Sequence, residues 1–577
     1  MSISSSELRR PVAFRTLIEA LETAPPDRPF VTMWNTEDDS ESVTFGQFKR
    51  QAEALAVYFQ SHGLGAGDAV VLIMPQGIEL MAAFAGVMLS GAVPAILAYP
   101  NFKVEPAKYR AGLVGVTANL KARMVVLDDK FPEELMDYVT VGSDTLVLRS
   151  AAGQEPPAGI ELFRTSLSAD SLAFIQHSAG TTGLQKGVAL SNRAVLLQLD
   201  HLASALEITE QDSIYSWLPL YHDMGLIACF MLPLVLHLPV VMQSPTDWVM
   251  QPGTMLQLIA QYKCTLAWAP NFTLQFLARR VHKDDRSEYL LSSLRALINC
   301  SEPVRAQSMD EFLNAYSSSG LQPCVLQSSY AMAENVFAVT QSSINGQPRR
   351  LWISGEMLRR EHRAVPVDEG TDDGLCFVSS GRCLPGNEVR IASPESKNFS
   401  ESKNLPDGVV GEILIRSDSL FDGYYNRPDL TEAALQEGWY WSGDLGFCRD
   451  GELYVIGRKK DLMIVAGKNI YPQDVEEIAF SHPAIHDGRA VSFGLYNADL
   501  GTEEIIVVAE VGREEDLTDA IAIERAVRSR ITAELGVAVR AVYLKPPRWI
   551  VKSTAGKNAR ATTRDKLFGE HPELVEK

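Results

Sequence analysis

The stretch Leu172-Ala-Phe-Ile-Gln-His-Ser-Ala-Gly-Thr-Thr-Gly-Leu-Gln-Lys-Gly187 joins an apolar run to a loop of small and hydroxylated residues. Residues 172–175 have the uniformly apolar character of a strand that is covered on both faces of a parallel sheet. Ligand sites in such sheets lie at the carboxyl ends of the strands, which is where this loop begins. The stretch therefore predicts an α/β fold with a ligand-binding loop at a strand end.

The residues before this stretch repeat the same pattern. Short apolar runs at 70–74, 94–97, 124–127 and 146–148 are separated by helical patterns, of which residues 79–90 are the clearest. Buried strands that alternate with helices are typical of sheets that carry helices on both faces. We therefore expect a large N-terminal body with mixed, largely parallel sheets flanked by helices.

The loop from Ser178 to Gly187 has the composition of a phosphate-binding loop. Glycine permits a tight backbone, and N–H groups with Ser and Thr hydroxyls can then surround phosphate oxygens, to which Lys186 would add a positive charge. The Walker A spacing GxxxxGK[ST] is absent. A flexible connector is the alternative for the loop alone, but its position after a buried strand favours phosphate.

The pattern changes after Asp461. Residues 504–510 and 537–544 are typical of strands, and between them Ile523, Val527, Ile531 and Leu535 recur every four residues until Gly536. This spacing predicts a helix that ends at the glycine, within a separate α+β unit. Two polar stretches lie earlier: residues 396–408, which we expect to form a surface loop, and residues 341–374, a charged insertion without a readable pattern.

Composition excludes several classes of protein. The chain has 577 residues and a formal net charge of −19, which argues against nonspecific nucleic-acid binding. The last stretch, 540–577, reverses this balance with nine basic and four acidic residues, so it can face an anionic ligand. The seven cysteines form no CxxC pair, so we expect buried free thiols and neither a disulfide framework nor a structural zinc site.

Neither a leader nor a membrane span is predicted. No apolar stretch follows the arginines near the N-terminus. The most apolar segment, 224–242, is interrupted by Pro233, His237 and Pro239, which favours a buried helix followed by a buried strand. We expect a cytoplasmic protein.

Four further segments carry residues suited to chemistry. Tyr330-Ala-Met-Ala-Glu334 places a carboxylate near a strand end, where it could hold Mg²⁺, although the N-terminus of a helix is the bland alternative. Tyr440-Trp-Ser-Gly-Asp444 offers a carboxylate after a turn for a ribose diol, or simply a solvated turn. Residues 452–461 join a strand to a charged turn, as a hinge or an ordinary surface turn would. Lys557 is the last residue of the segment Lys552-Ser-Thr-Ala-Gly-Lys557. It could be an exposed residue of a solvated tail, or it could supply a cation to an anionic transition state.

The five segments occur together in an order that resembles the adenylate-forming superfamily of acyl-CoA synthetases, luciferases and nonribosomal adenylation domains. A finer resemblance is to the fatty acyl-AMP ligases, through the segments 217–226, 269–272, 301–304 and 467–473. Residues 341–374 occupy the place of the insertion that disfavours CoA in that branch. The resemblance implies an N-terminal adenylation body, 1–459, and a mobile C-terminal domain, 460–577, with its hinge at Lys460.

The resemblance also implies roles for individual residues. ATP and Mg²⁺ would be required, with Glu334 on the metal, Asp444 and Arg458 at the ribose, and Lys557 between the substrate carboxylate and the α-phosphate. The remaining nucleotide contacts would come from Ser178, Ala179, Gly180, Thr181, Thr182, Gly183, Lys186, Ser301, Glu302, Pro303, Ser329, Tyr330, Ala331, Met332 and Ala333. After rotation, a phosphopantetheine arm would approach beside Gly467.

The acyl pocket is expected near residues 217–230 and 268–272, with His222 at the carboxylate end. Its other expected residues are Trp217, Met224, Ile227 and Asn271. The apolar run 226–236 would line an alkyl tunnel, or it would be core packing.

Four positions depart from the family pattern, and none of them removes a charged group. They are Ala179, Gln185, Cys300 and Ala331.

Three functional hypotheses remain open. The first is ATP-dependent activation of a carboxylic acid, a fatty acid by resemblance, with transfer of the acyl group to an acyl carrier protein. The second is an acyl-CoA synthetase, on a fatty or another acid, and the third is a non-catalytic adenylate-binding or carrier-docking relative. The retained Lys557, Glu334 and Asp444 argue against the third, because a binding module does not need a mobile lysine.

Overall fold

The computed structural model describes residues 14–36, 39–100, 106–139, 145–149, 161–177, 186–396, 398–466, 468–497, 500, 502–552 and 557–574. The α-helices are α1 (Leu17–Glu22), α2 (Phe45–Ser61), α3 (Ile78–Leu89), α4 (Pro106–Leu120), α5 (Asn192–Ala205), α6 (Leu232–Leu236), α7 (Pro245–Met250), α8 (Gly253–Tyr262), α9 (Asn271–Arg280), α10 (Ala306–Ala315), α11 (Gly355–Glu361), α12 (Pro428–Ala434), α13 (Pro472–Phe480), α14 (Ala520–Leu535) and α15 (Arg560–Glu570).

The strands are numbered in chain order. They are β1 (Pro29–Thr36), β2 (Asp39–Thr44), β3 (Ala69–Ile73), β4 (Val93–Ile96), β5 (Met124–Leu127), β6 (Leu146–Arg149), β7 (Leu172–His177), β8 (Gly187–Ser191), β9 (Ile214–Ser216), β10 (Val240–Gln243), β11 (Leu266–Ala269), β12 (Ala296–Asn299), β13 (Leu326–Ala331), β14 (Ala338–Gln341), β15 (Arg350–Ser354), β16 (Gly374–Val378), β17 (Arg382–Cys383), β18 (Asn387–Ala392), β19 (Gly411–Ser417), β20 (Gly423–Tyr424), β21 (Leu435–Gln436), β22 (Trp439–Arg449), β23 (Glu452–Arg458), β24 (Met463–Val465), β25 (Lys468–Ile470), β26 (Ile485–Asn497), β27 (Thr502–Val511) and β28 (Val539–Lys545).

The predicted parallel strands form the centre of the first large sheet. Its order is β20-β8-β7-β4-β3-β5-β6, and every pair from β7 to β6 is parallel. β8 turns back antiparallel to β7, because the short loop between them is too small for the crossover that a parallel pair needs. The predicted α/β class with largely parallel sheets and flanking helices is confirmed.

A second sheet and a smaller third one complete the body. The second has the order β17-β14-β13-β12-β11-β9-β10-β1-β2, with parallel strands in its middle. The third is antiparallel, with the order β18-β19-β22-β21 and with β23 on β22. β13 and β22 therefore belong to different sheets, and both supply residues to the site described below.

The core of the body contains a cluster of aromatic rings. Phe30 stacks on Phe45 with ring centroids 4.2 Å apart, and Phe48, Phe84 and Phe230 pack around them. Phe230 belongs to a fully buried π-helix, Met224–Met231, which is followed by α6 and β10. The helix-then-strand prediction for 224–242 is confirmed, and no helix in the described residues has the length and apolarity that a bilayer crossing requires.

The elements after the charged turn form a unit with its own core. β26, β27 and β28 make a three-stranded sheet, and α14 packs its buried Ile523, Val527, Ile531 and Leu535 against it. The helix ends where predicted, with Gly536 at a φ of 63°. We call residues 463–574 the C-terminal unit and residues 14–458 the body; the exact boundary at Lys460 stays a prediction.

The charged insertion forms a small folded part of the body. β15 and β16 pair antiparallel, and α11 follows β15 directly. The insertion contacts the C-terminal unit, where the Asn469 side-chain amide lies 2.7 Å from Nε2 of His362. The insertion therefore forms part of the surface of the body that contacts the C-terminal unit.

The expectation that the cysteines are buried holds for only part of them. All seven are free, but only Cys229, Cys264 and Cys300 are buried, whereas Cys324 and Cys383 are exposed. Cys324 lies in a turn and Cys383 on the edge strand β17, where no sheet covers it. The prediction was wrong for these two, because spacing along a chain does not reveal which elements lie at an edge.

Candidate active site

A cleft of about 3170 Å³ separates the body from the C-terminal unit. Predicted site residues that line it are Lys186, His222, Asn271, Ser301, Glu302, Pro303, Ser329, Tyr330, Ala331, Met332, Ala333, Glu334, Asp444, Arg458, Lys460 and Lys557. The predicted residues Ser178, Ala179, Gly180, Thr181, Thr182, Gly183 and Gly467 lie outside the described residues. Lys186 and Lys557, which are 371 positions apart in the chain, thus line the same cleft.

Asp444 is the centre of a buried network on the body side. Tyr330 Oη donates to its Oδ2 at 2.6 Å, and Arg458 Nε lies 2.8 Å from its Oδ1. Asp444 and Arg458 face each other as register partners on β22 and β23, which explains why these two residues meet. Burial raises the pKa of the Asp444 carboxyl, and the charge of Arg458 opposes that rise.

The local structure around Asp444 differs from the prediction. The sequence favoured a carboxylate after a turn, but Asp444 lies inside the long strand β22 and is only 6% exposed. Gly443 before it has a φ of 70°, which bends the strand so that the carboxylate enters the cleft. The Ser-Gly pair that resembled a turn is a kink within a strand.

Glu334 lies in a short 3₁₀ turn, Ala333–Asn335, directly after β13. Its carboxylate is 8% exposed, and its Oε1 accepts a hydrogen bond of 2.8 Å from Tyr424 Oη. Val336 next to it has φ 60° and ψ −55°, with Phe337 N–H donating to Asn335 O at 2.6 Å. This is a γ-turn that β-branched residues rarely adopt, and such strain is concentrated at functional sites.

A metal ion at this position would depend on Glu334 and on the ligand. The described residues contain no group of three or more His, Cys, Asp or Glu side chains that could hold a metal. Mg²⁺ is commonly held by one or two carboxylates together with substrate phosphates, so a single buried carboxylate facing the cleft fits that ion.

Lys557 reaches across from the C-terminal unit to the body. Its Nζ donates to the carbonyl oxygen of Ser301, a residue with a φ of 70°. The same ammonium acts on two carboxyls: at Asp223 it adds to the effect of His222, which lowers the pKa despite burial, and at Asp444 it only opposes the rise in pKa that burial causes. One cation of the C-terminal unit therefore points at the centre of the body side.

Two ion pairs accompany this contact. Arg305 pairs with Glu477, and Arg279 pairs with Asp487, each joining the body to the C-terminal unit. Both pairs are partly exposed to solvent. We call these two pairs and the Lys557–Ser301 contact the seam.

His222 and Asp223 form a pair that lines the cleft. His222 Nδ1 lies 2.6 Å from Asp223 Oδ1. Burial acts to raise the pKa of Asp223, but His222 and Lys557 outweigh it, so the pKa lies below its usual value. Asp223 is consequently an anion close to the cation of the C-terminal unit.

The expected acyl pocket is divided by the structure. His222 and Asn271 line the cleft, but Trp217, Met224 and Ile227 do not and are buried in the body core. Trp217 is covered because Trp248 stacks on it with ring centroids 3.8 Å apart. For Ile227, which is fully buried, the position favours the core-packing alternative.

Sequence reasoning missed several cleft residues. Tyr424 and Trp248 line the cleft from segments without a recognisable motif, whereas Asp223 stood next to the predicted His222 and could have been found there. Cys300, which replaces a family glycine, is buried with its Sγ 3.0 Å from Met224 Sδ. It therefore fills space behind the cleft and removes no polar group.

With this geometry in place, the chain was compared with known protein families. The family model described as AMP-binding enzyme matches residues 18–425. The chain belongs to this family. The match includes β13 and β20 of the body and ends before β22 and β23. The resemblance stated from the sequence motifs is confirmed.

Individual relatives match this AMP-binding enzyme over nearly its full length. The medium-chain-fatty-acid–[acyl-carrier-protein] ligase JamA of Moorena producens is 28% identical over 96% of this chain and 95% of its own. The probable long-chain-fatty-acid–AMP ligase FadD30 of Mycobacterium tuberculosis is 27% identical, covering 95% and 96%. Among solved structures, one from a study of fatty acyl-adenylate ligases of E. coli and L. pneumophila has a TM-score of 0.88, with 29% identity over 98% of this chain and 99% of that chain.

Proposed function

We propose that this AMP-binding enzyme activates a fatty acid with ATP, releasing pyrophosphate, and transfers the acyl group from the adenylate to the phosphopantetheine thiol of an acyl carrier protein, releasing AMP. The observation that carries the proposal is the position of Lys557. Its ammonium bonds to Ser301 O and acts on Asp223 and Asp444 in the same cleft. A mobile cation at this point suits a reaction between two anions.

The chemistry follows from the charges. A carboxylate oxygen attacks the α-phosphorus of ATP, an acyl–phosphate bond forms, and the bond to the β-phosphate oxygen breaks. Carboxylate is a weak nucleophile and both reactants are anionic, so the main tasks are positioning and neutralisation of charge. Lys557 would bridge the carboxylate and the α-phosphate, and Lys186 would neutralise the leaving pyrophosphate.

The body would hold the nucleoside. Asp444 presents a buried carboxylate that Tyr330 and Arg458 already orient, which suits the two hydroxyls of a ribose. Mg²⁺ would be held by Glu334 and the phosphates, where it would supply charge neutralisation on the phosphate oxygens.

The acid would bind along the part of the cleft that His222 and Asn271 line together with Phe272 and Phe276. These aromatic side chains supply apolar surface for an alkyl chain, in line with the fatty acids and fatty-acid ligases named for the relatives.

The choice of a carrier protein over CoA has support from the insertion. The insertion, formed by β15, α11 and β16, contacts Asn469 of the C-terminal unit. Asn469 lies close in sequence to Gly467, where the pantetheine arm is predicted to approach. A contact at this point would restrict how the C-terminal unit turns to admit free CoA. Acyl-CoA synthesis is the alternative that this contact disfavours.

The test is acid-dependent exchange of pyrophosphate into ATP, measured without any thiol acceptor over a panel of fatty, aryl and branched acids. The proposal expects exchange that is fastest with fatty acids. Exchange with none of the acids, or with aryl acids alone, would contradict it. The loaded enzyme is then offered a holo carrier protein or CoA, and rapid acyl-CoA formation would refute the carrier assignment.

A further inference from the structure

Tyr424 contacts two charged groups of opposite sign that the proposed function uses. Lys186 Nζ lies 4.4 Å from the centroid of the Tyr424 ring, over its face. The hydroxyl of the same ring donates to Glu334 Oε1 at 2.8 Å. A single side chain thus has a cation on its face and an anion at its edge, a division that matches the charge distribution of an aromatic ring.

The position of Tyr424 is determined by the fold. It lies on β20, which pairs antiparallel with β8 so that Tyr424 faces Val188, two residues after Lys186. The side chain is only 4% exposed, and Phe421 and Tyr440 pack against it. Tyr440 Oη lies 3.4 Å from Tyr424 Oη, and since the latter donates to Glu334, it is free to accept from Tyr440.

Among the ion pairs of the described residues, none joins Lys186 directly to Glu334, although both contact the same ring. A direct pair would neutralise the two groups against each other, and a ligand phosphate or a metal ion would then have to break that pair before binding. The face of a ring attracts an ammonium without a full negative charge, so a phosphate can take the ammonium at lower cost.

From these contacts we infer that Tyr424 is a positioning residue that keeps Lys186 and Glu334 apart, leaving the lysine available to a nucleotide triphosphate and the glutamate to its divalent cation. The inference rests on the proposed function, because the roles of Lys186 and Glu334 belong to it. The two contacts of Tyr424 have separate effects: the ring face holds the ammonium of Lys186, and the hydroxyl orients the carboxylate of Glu334.

The test measures binding, not turnover. The full-length chain is titrated calorimetrically with α,β-methylene-ATP, which cannot be adenylated, in the presence and absence of Mg²⁺ and without any acid. Tyr424→Phe keeps the ring face and removes the hydroxyl. We therefore expect unchanged affinity for the metal-free analogue, with a Mg²⁺ concentration at half-saturation that is about tenfold higher.

Tyr424→Leu removes both the ring face and the hydroxyl, which lets Lys186 pair with Glu334. Affinity for the metal-free analogue should then fall by about tenfold as well. Lys186→Ala should weaken that affinity by about tenfold in the wild-type background but by less than about twofold beside Tyr424→Leu, because the lysine is already engaged. Tyr425→Phe changes the neighbouring half-buried tyrosine, which follows β20 and does not line the cleft; it is the matched control and should change neither quantity.

The results separate the inference from its alternatives. If Tyr424→Phe and Tyr424→Leu weaken both quantities equally, or if neither variant changes them, the inference is wrong. Full additivity of Lys186→Ala with Tyr424→Leu would also overturn it. A thermal melt of each variant checks folding, and Tyr424→Phe keeps the test valid if the leucine variant unfolds. The titration contains no acid, whereas the exchange assay depends on one. A failure of the proposed function in the acid panel can therefore be distinguished from a failure of this inference.

Discussion

The body side of the cleft and the seam hold their charges in opposite ways. Asp444 is 6% exposed and is bound by Tyr330 and Arg458 within the body. In the seam, the side chain of Glu477 is 56% exposed and that of Asp487 is 39% exposed. Exposed ion pairs of this kind contribute only about 0–1 kcal/mol each.

The difference teaches how the two halves divide the work. Burial raises the pKa of Asp444 even though Arg458 opposes it, so the ionised carboxylate lowers the stability of the fold. The proposed function accounts for that cost, because the site would have to present an anion before the nucleotide binds. Both ion pairs of the seam are partly exposed, which suits the proposed function, in which the C-terminal unit delivers Lys557 and then moves away.

The largest effect is expected at Lys557. Lys557→Ala should lower acid-dependent pyrophosphate exchange by about 10²–10³-fold, because it removes a preorganised cation from the transition state. The melting temperature should stay within about 2 °C of the wild type, since the seam contributes little to folding. Arg525→Ala, at an exposed position on α14, is the control, and exchange that survives in Lys557→Ala would contradict the division of work.

Asp444→Asn should have the next largest effect. Loss of the charge should raise the KM for ATP by about 10- to 100-fold. The free energy of unfolding at pH 7.5 should stay the same or rise by up to about 1 kcal/mol, because a buried carboxylate with a raised pKa is removed. Chemical denaturation and exchange kinetics measure the two quantities, and a strong loss of stability would show that the network supports folding instead.

A smaller effect is expected at the seam. Arg279→Ala combined with Arg305→Ala should lower exchange by about threefold at low salt, since both pairs help to dock Lys557. The difference from wild type should shrink at 0.5 M salt, where screening has already weakened the pairs. Arg416→Ala, which removes a comparably exposed pair within the body, should leave exchange unchanged.

The smallest effect concerns pH. Burial, followed by the charge of Glu477, raises the pKa of Asp474 on α13 to about 7, whereas an unfolded aspartate titrates near 3.9. The native state therefore binds the proton more tightly between about pH 4 and pH 7, and its contribution to stability is lost as the pH rises through that window. Asp474→Asn should remove this slope and gain about 1 kcal/mol at pH 8. Parallel pH profiles of the two proteins would contradict it.

The sequence predicts one half of the site better than the other. Glu334, Asp444 and Lys557 were expected to lie in one site because their motifs occur together in one order along the chain, and all three line the cleft. The apolar half was less predictable: Trp217 and Ile227 are covered by segments distant in sequence, so their burial depends on three-dimensional packing.

Two further features had no usable signal. Gly443 within Ser-Gly-Asp has the composition of a turn, and only the pairing of β22 with β23 reveals a kinked strand. Tyr424 stands in a short tyrosine pair whose role depends on how β20 pairs with β8. Pairing between distant strands is a property of the whole fold, which local composition does not contain.

The most direct test of the central claim is to lock the seam. Arg305 and Glu477 are replaced by cysteine, the exposed Cys324 and Cys383 by serine, and the new pair is joined with a short bis-maleimide. The account predicts that the linked enzyme keeps pyrophosphate exchange but no longer transfers the acyl group to the carrier protein, whereas the unlinked variant does both. Transfer at the unlinked rate after complete linkage, or loss of exchange, would contradict the claim that the docked unit performs adenylation and must then move.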